Sequence, residues 1–311
     1  VKRPQTLPLG IDAGTARTRV ALVERDGAGN PRLVAVAVRP TGDDAAHAIA
    51  QACTELRTRE RRCVLALAAP DALLRTVTFP SMPRAERTRA ARFDAQRFVP
   101  YAPHEAAVRV ASAHGDRCVV GIARREALDA RILAAKRAGL RPIAVDDAAF
   151  GLVRAFAYAD AIVDVGERAT LLVVPGDPVP SARVLSIGGG ALTAAVVASL
   201  GIDTASAEQR KRSIGLAGAG EYARDALVEQ LASALIEHRA NARAEMRAIV
   251  LAGNGARLNG FAEALERAVA IPVRLGALAA GTSDALPPDV VRAASPDWGL
   301  AYGLALWETA A

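Results

Sequence analysis

The chain has 311 residues, 51% apolar and 23% charged, enough for two packed cores and without the low-complexity bias of a disordered or fibrous protein. Its 39 basic and 33 acidic residues leave a net charge of +6, almost all of the cations being arginine. Aromatic residues are only 4% and no basic run alternates with them, so direct nucleic-acid binding is not expected. No apolar run approaches the roughly 18 residues that span a membrane, and the N-terminus lacks the apolar core of a signal peptide. The expectation is a cytoplasmic protein.

Leu7 to Val23 reads as an apolar strand, Asp12-x-Gly14-Thr15, and a second apolar strand. A glycine between strands permits a tight turn, here through positive φ at Gly14, with backbone amides free to converge on an anion. Arg32–Val38 is a third strand, and Asp43–Arg59 an amphipathic helix. Cys63–Ala68 is a buried strand and Leu74–Pro80 an edge strand. The helix Pro83–Phe98 carries Arg84, Arg87, Arg89, Arg92 and Arg97, which make either a basic docking face or an ordinary solvated one. Strands Ala106–Ala113 and Arg117–Ala123, the helix Ala127–Ala138 ending at Gly139, and the strand Pro142–Val145 follow. Asp146-Asp147 then precede the helix Ala148–Tyr158, where both can cap its N-terminus.

The second half begins as the first does. Asp164-Val165-Gly166 lies between apolar strands, and Asp164, Gly166 and Thr170 stand 152 positions after Asp12, Gly14 and Thr18. Duplication on this scale implies two related α/β domains, each with an Asp-x-Gly hairpin. Two such hairpins face to face can grip phosphates, and two aspartates can hold a hydrated magnesium. The strand Ala182–Ile187 runs into Gly188-Gly189-Gly190 and the helix Leu192–Leu200, which brings backbone either to a ligand at the helix end or to a neighbouring strand. Glu208 and Lys211 sit one turn apart on the helix Ala205–Ser213. After the helix Glu221–Arg239, the strand Arg247–Ala252 leads into Gly253-Asn254-Gly255 and the helix Phe261–Ala270. A strand at Ile271–Leu275 and a small-residue loop at Gly276–Pro288 come next. The closing helix Pro296–Trp307 has Gly299 and Gly303 one turn apart, suited to close packing. Cys53, Cys63 and Cys118 have no paired spacing, the four histidines are scattered, and no Gly-x-Ser-x-Gly elbow occurs. A disulfide framework, a zinc site and an α/β-hydrolase nucleophile are not expected.

These motifs together resemble the actin-like ATPase superfamily and, within it, the PilM family of type IV pilus assembly proteins, with FtsA more distant. The resemblance covers nearly the whole chain. Gly10–Thr15 is similar to the first phosphate motif, with Arg19 as the strand-borne basic residue after it. Phe79–Pro83 with the helix that follows resembles the inserted subdomain, and Asp164-Val165-Gly166 with Thr170 the second phosphate motif. Arg183 through Gly188-Gly189 to Leu192-Thr193, Ala207–Lys211, and Leu251–Gly255 with Leu258 and Gly260 resemble the remaining family motifs.

The resemblance implies actin-like, duplicated mixed-sheet domains at 1–159 and 160–311. It places an inserted subdomain at about 79–145, and the helix 296–307 packing back on the first domain. It implies ATP with magnesium in the cleft. Asp12 and Asp164 would hold the metal through water. Gly14, Thr15, Ala16, Gly166, Thr170, Gly188 and Gly189 would surround the phosphates, and Glu208, Lys211, Gly253, Asn254 and Gly255 the nucleoside. Asp146 is the candidate for positioning a water. Ala16 and Arg17 stand where the family keeps hydroxyls, and Asn254 replaces a glycine, so weak or absent ATPase activity is expected. The implied role is a scaffold of the inner-membrane pilus platform that binds the cytoplasmic tail of PilN in a groove beside the inserted subdomain. It is peripheral to the membrane through such partners. The alternatives are a structural subunit without nucleotide, as in type II secretion GspL, and a sugar-kinase-type phosphotransferase.

Overall fold

In the computed structural model, which describes residues 4–114, 116–242, 245–278, 281–282, 286 and 288–307, the chain forms three sheets. In order come β1 (Gln5–Thr6), β2 (Leu9–Ala13), β3 (Arg17–Arg25), β4 (Pro31–Pro40), α1 (Ala45–Leu56), β5 (Arg62–Leu67) and β6 (Ala72–Thr78). Then α2 (Arg84–Asp94), β7 (Ala106–His114), β8 (Arg117–Arg124), α3 (Arg125–Arg137), β9 (Arg141–Asp147) and α4 (Ala148–Ala155). The second half holds β10 (Ala161–Val165), β11 (Thr170–Val174), β12 (Ser181–Leu185), α5 (Gly189–Leu200), α6 (Thr204–Ile214) and α7 (Glu221–Ala242). It ends with β13 (Ile249–Ala252), α8 (Phe261–Val269), β14 (Val273–Leu275), β15 (Gly281–Thr282) and α9 (Pro288–Ala305).

The duplication is visible in the strand order. The first sheet runs β15-β4-β3-β2-β5-β9, with β1 added beside β3, and the second runs β12-β11-β10-β13-β14. In each, three antiparallel strands are followed by two parallel ones, so β4-β3-β2-β5-β9 matches β12-β11-β10-β13-β14. Helices α1 and α3 cover the outer face of the first sheet, with Leu9, Ile11, Ile49 and Leu65 fully buried there. Helices α5 to α8 cover the outer face of the second. Between the sheets lie α4 and α9, packed on Ala21 and Val23 of one and on Ile162, Val173 and Val250 of the other. Each fully buried aliphatic side chain stabilises by about 1.5–3 kcal/mol.

Local sequence explains most boundaries. Asp44, Asp147 and Asp203 cap α1, α4 and α6, each accepting from the backbone N–H two residues on at 2.9 Å. Gly139 and Gly201 take left-handed φ just after α3 and α5. Three expectations are corrected. The three-stranded sheet β6-β8-β7 starts at Ala72, and 141–147 is a strand of the first sheet, so the inserted segment does not coincide with 79–145. Helix α5 begins at the glycines themselves. Helix α9 begins at Pro288, with Pro296 inside it. Just before that proline Ser295 donates to the Val291 carbonyl at 2.6 Å, and the Pro296 carbonyl accepts from Gly253 N at 2.9 Å. Much of the expected 276–288 loop lies outside the described residues.

The glycines of α9 do what their spacing suggests. A Cβ on Gly303 would sit 1.7 Å from the Gly151 carbonyl oxygen, and one on Gly299 2.4 Å from the Phe156 ring. From the strand side, a Cβ on Gly10 would sit 1.9 Å from the Ala301 carbonyl oxygen. Helix α9 therefore touches α4 and β2 backbone to backbone.

Candidate functional site

Both Asp-x-Gly turns lie at the same end of their sheets. In the first, Gly14 N donates to the Arg17 carbonyl at 3.1 Å and closes the hairpin. Gly14 does not adopt the positive φ expected of it. It is needed because a Cβ would sit 2.9 Å from the Arg17 carbonyl oxygen. Thr15 and Ala16 form the exposed tip. Thr41, just after β4, props the turn: its hydroxyl donates to the Gly14 carbonyl at 2.7 Å and accepts from the buried Thr18 hydroxyl at 3.0 Å. Arg131 of α3 donates to the Ala13 carbonyl.

The second turn closes likewise, Gly166 N donating to the Ala169 carbonyl at 3.0 Å. Its surroundings differ. Gly189 N donates to the Gly166 carbonyl and Gly190 N to the Glu167 carbonyl, both at 2.8 Å. A Cβ on Gly188 would lie 2.6 Å from Ala169 N and 2.7 Å from the Gly166 carbonyl oxygen. The triple glycine thus seats the start of α5 on the hairpin, and the amides of Gly189 and Gly190 are spent there. Gly188 and Gly189 are a strand–helix junction rather than an open phosphate cradle. Behind them Lys211 uses all three donors, on the Gly189 carbonyl at 2.9 Å and on Thr193 and Glu208 at 2.6 Å. Burial works against charge on Glu208, but bonds from Lys211 and Thr193 outweigh it and hold its carboxyl below the ordinary value. Sequence reading found Glu208 and Lys211, and missed that Thr193 ties them together.

Arg19 joins the two halves. It stands opposite Asp12 in the hairpin, bonds that carboxylate at 3.1 Å, and reaches Asn254 Oδ1 at 2.8 Å, 235 residues away. The residue is 7% exposed and its Nε has no hydrogen-bond partner among the described residues. Asn254 stands without a left-handed angle where the family has a glycine; it starts a single 3-10 turn, and Gly253 before it takes φ of 78°. That glycine lies against Asp164, where a Cβ would sit 2.4 Å from Oδ1, and a Cβ on Gly255 would sit 2.3 Å from Val165 Cγ1. Burial, with Asp12 and Asp297 adding repulsion, pushes the Asp164 carboxyl up to about 7 against the pull of Arg19. Asp297 of α9 pairs with Arg257 at 3.2 Å and had no signal in the sequence.

These oxygens suit a hard cation that keeps much of its water, as magnesium does. Among the described residues no group of three or more His, Cys, Asp or Glu could form a full protein cage. Asp12 and Asp164 would therefore share such an ion with water.

Two expected site residues lie elsewhere. Thr170 is fully buried and its hydroxyl donates to the Ile187 carbonyl at 2.7 Å, so it holds the chain after β12 rather than facing the cleft. Asp146 lies two strands from Asp12, roughly 10 Å at sheet spacing. Its oxygens accept from Arg154 at 2.5 Å and from Asp147 N at 2.9 Å, which ties the carboxylate to α4. The helix cap is Asp147 alone. Burial first, and Asp146 next, push the Asp147 carboxyl up to about 6.

Asp146 and Asp147 instead border a groove of about 1370 Å³ between the three-stranded sheet, α3 and the edge strand β9. Leu74, Phe93, Val108, Leu128, Ile132 and Ile143 give it apolar walls, and Arg92, Arg109, Arg125 and Lys136 add cations. Of the basic face on α2, Arg92 reaches this groove; Arg87 bonds the Met82 carbonyl and Arg97 pairs with Asp94. Among the described residues no single helix is long and apolar enough to cross a membrane.

Comparison with known proteins places this geometry. The chain is similar to the PilM of a PilM–PilN type IV pilus biogenesis complex, with 26% identity, a TM-score of 0.83, and coverage of 96% of this chain and 97% of that one. It shares its fold with the ethanolamine utilization protein EutJ from Carboxydothermus hydrogenoformans, at 16% identity and a TM-score of 0.59 over 99% of this chain and 91% of that one. No curated protein sequence matches. The family model described as type IV pilus assembly protein PilM matches residues 39–309. With paired mixed sheets, twin Asp-x-Gly turns and this match over most of its length, the chain belongs to the PilM family of type IV pilus assembly proteins, on an actin-like α/β fold.

Proposed function

We propose that this protein is a cytoplasmic, ATP-binding scaffold of the inner-membrane type IV pilus platform that holds the tail of a PilN-like membrane protein. The observation that carries the reading is the groove beside the three-stranded sheet. Its walls offer successive apolar pockets, and β9 presents a free strand edge along it, the features that receive an extended peptide. The similar protein in the solved complex is assembled with PilN. A fluorescent peptide with an Asn-Leu-Leu-Pro core should bind the whole chain, and Ile143→Glu should abolish binding with the melting temperature unchanged. Undiminished binding to that variant sinks the assignment. Other platform proteins would contact the scaffold, and it would be peripheral to the membrane through these partners.

In the same reading the chain divides at 159/160, and ATP lies between the halves. Asp12 and Asp164 hold a hydrated magnesium, whose chemistry is to neutralise phosphate charge. Gly14, Thr15, Ala16 and Gly166 border the phosphates, while Glu208, Lys211, Gly253, Asn254 and Gly255 flank the nucleoside. Arg19 offers an unspent Nε to an anion in the cleft. With Ala16 and Arg17 where the family keeps hydroxyls, hydrolysis is weak or absent, and the pairing of Asp146 with Arg154, two strands from Asp12, speaks against a sugar-kinase base. A structural subunit without nucleotide is the second reading, favoured by the spent amides of Gly189 and Gly190. Magnesium–ATP decides between them. Ligand at about 100 times its Kd adds about 2.7 kcal/mol, so a rise in melting temperature is expected, and no rise at millimolar nucleotide refutes the ATP site.

A further inference from the structure

The edge of the first sheet opposite the Asp12–Asp164 cleft gathers arginines. Arg57 follows α1 with φ of 51°, Arg59, Arg61 and Arg62 lead into β5, and Arg141 opens β9 directly beside Arg62. All five are exposed. One carboxylate stands in this run, that of Glu60, and Arg62 takes it at 2.6 Å. Arg61 bends back onto the Thr58 and Glu60 carbonyls. The guanidinium groups of Arg57, Arg59 and Arg141 make no hydrogen bond or ion pair with any described residue. The neighbouring ends of β3 and β4 are balanced, with Arg25 and Arg32 against Glu24 and Asp26. This edge therefore carries a net +4 in a chain whose total is +6.

Fold stability accounts for little of this. A cation after α1 complements the helix C-terminus, which covers Arg57 but not Arg59, Arg61 or Arg141. Crowded like charges raise the energy of the free protein and favour an anionic partner. Two observations indicate which. Residues 57–62 and 141 include no aromatic side chain, so the surface has no means of stacking bases. Arg141 also precedes the groove residue Ile143 by two positions, roughly 7 Å along β9. A groove that holds the tail of a membrane protein lies near the bilayer, a step that rests on the reading above, and the arginine edge shares its strand.

We propose that the edge formed by Arg57, Arg59, Arg61, Arg62 and Arg141 docks this protein directly on anionic phospholipid headgroups, a second membrane contact beside the peptide groove. Basic clusters of this size near a membrane bind acidic lipid electrostatically.

The test is sedimentation of the whole chain with vesicles. One set is phosphatidylcholine alone, the other phosphatidylcholine with an equal amount of phosphatidylglycerol. Binding is expected to the anionic vesicles only and to fall as salt is raised. Arg59 and Arg141 are exposed and unbonded, so Arg59→Gln with Arg141→Gln should keep the melting temperature. At about fivefold per arginine, the double variant should bind about 25-fold more weakly. Equal binding to both vesicle types, no binding at low salt, or a variant that binds as well overturns the proposal. Arginine-dependent binding of duplex DNA tighter than that of the vesicles also overturns it. The tail reading is separated by the peptide assay in free solution. If the peptide fails to bind while anionic vesicles still do so through these arginines, the tail assignment falls and the docking surface stands.

Discussion

The two Asp-x-Gly hairpins share a backbone and differ in what surrounds the carboxylate. Across the strand from Asp12 stands Arg19; at the equivalent place across from Asp164 stands Leu171. Asp12 is thus neutralised within its own hairpin, whereas Asp164 depends on its partner half for a counter-charge and its carboxyl is pushed up to about 7. The turns diverge as well. The first keeps an exposed tip propped by Thr41, and the second is capped by the glycine start of α5. A duplicated fold can therefore divide labour: one hairpin carries the counter-charge for its own carboxylate, and the other takes its counter-charge from what packs on it or binds to it.

The most direct way to break the contrast is steric. Gly188→Ala forces a Cβ into the second turn's backbone and should cost about 3 kcal/mol in denaturant unfolding. Gly14→Ala, which meets one carbonyl oxygen at 2.9 Å, should cost visibly less. Equal losses would mean that both turns are packed alike. Next, Arg19→Leu makes the first hairpin resemble the second and strands the partly buried Asp12. A loss of about 2–3 kcal/mol is expected, and Asp12→Asn in the same chain should recover part of it; a double-mutant cycle with no coupling contradicts the Arg19 clasp.

Asp164→Asn probes the other side by pH. The folded carboxyl titrates near 7 instead of at its ordinary value of 3.8. The neutral form is thus the one the fold prefers: its contribution is whole below pH 3.8 and is lost as pH rises through 7. The asparagine variant should match the parent at pH 4 and be more stable by about 4 kcal/mol at pH 8 without magnesium. Urea midpoints at the two pH values measure this, and equal stability at pH 8 removes the burial argument. The smallest effect belongs to Thr15→Ala at the exposed tip. Its melting temperature should stay within error, while magnesium–ATP affinity should fall about fivefold if the hydroxyl meets a phosphate.

The repeated hairpins, the helix cap in the pair Asp146-Asp147, and Gly299 with Gly303 were legible because each is a local pattern with a local cause. Turn chemistry, capping and helical period act over a few residues. Thr170 and Asp146 were misplaced because spacing says where a residue falls on a strand, not which partner its side chain meets. Ile187, 17 residues on, and Arg154, from the next helix, decided those two.

By itself the amino-acid sequence determined two α/β halves, their equivalent turns and the order of their elements, since hydrophobic period and glycine placement are written residue by residue. Only the tertiary structure decided the electrostatics of the cleft. Arg19 meets Asn254, and Asp164 meets Gly253 and the field of Asp297, because α9 and the 3-10 turn after β13 bring distant segments into a space from which water is largely displaced. Charges interact there over distances that no sequence spacing records.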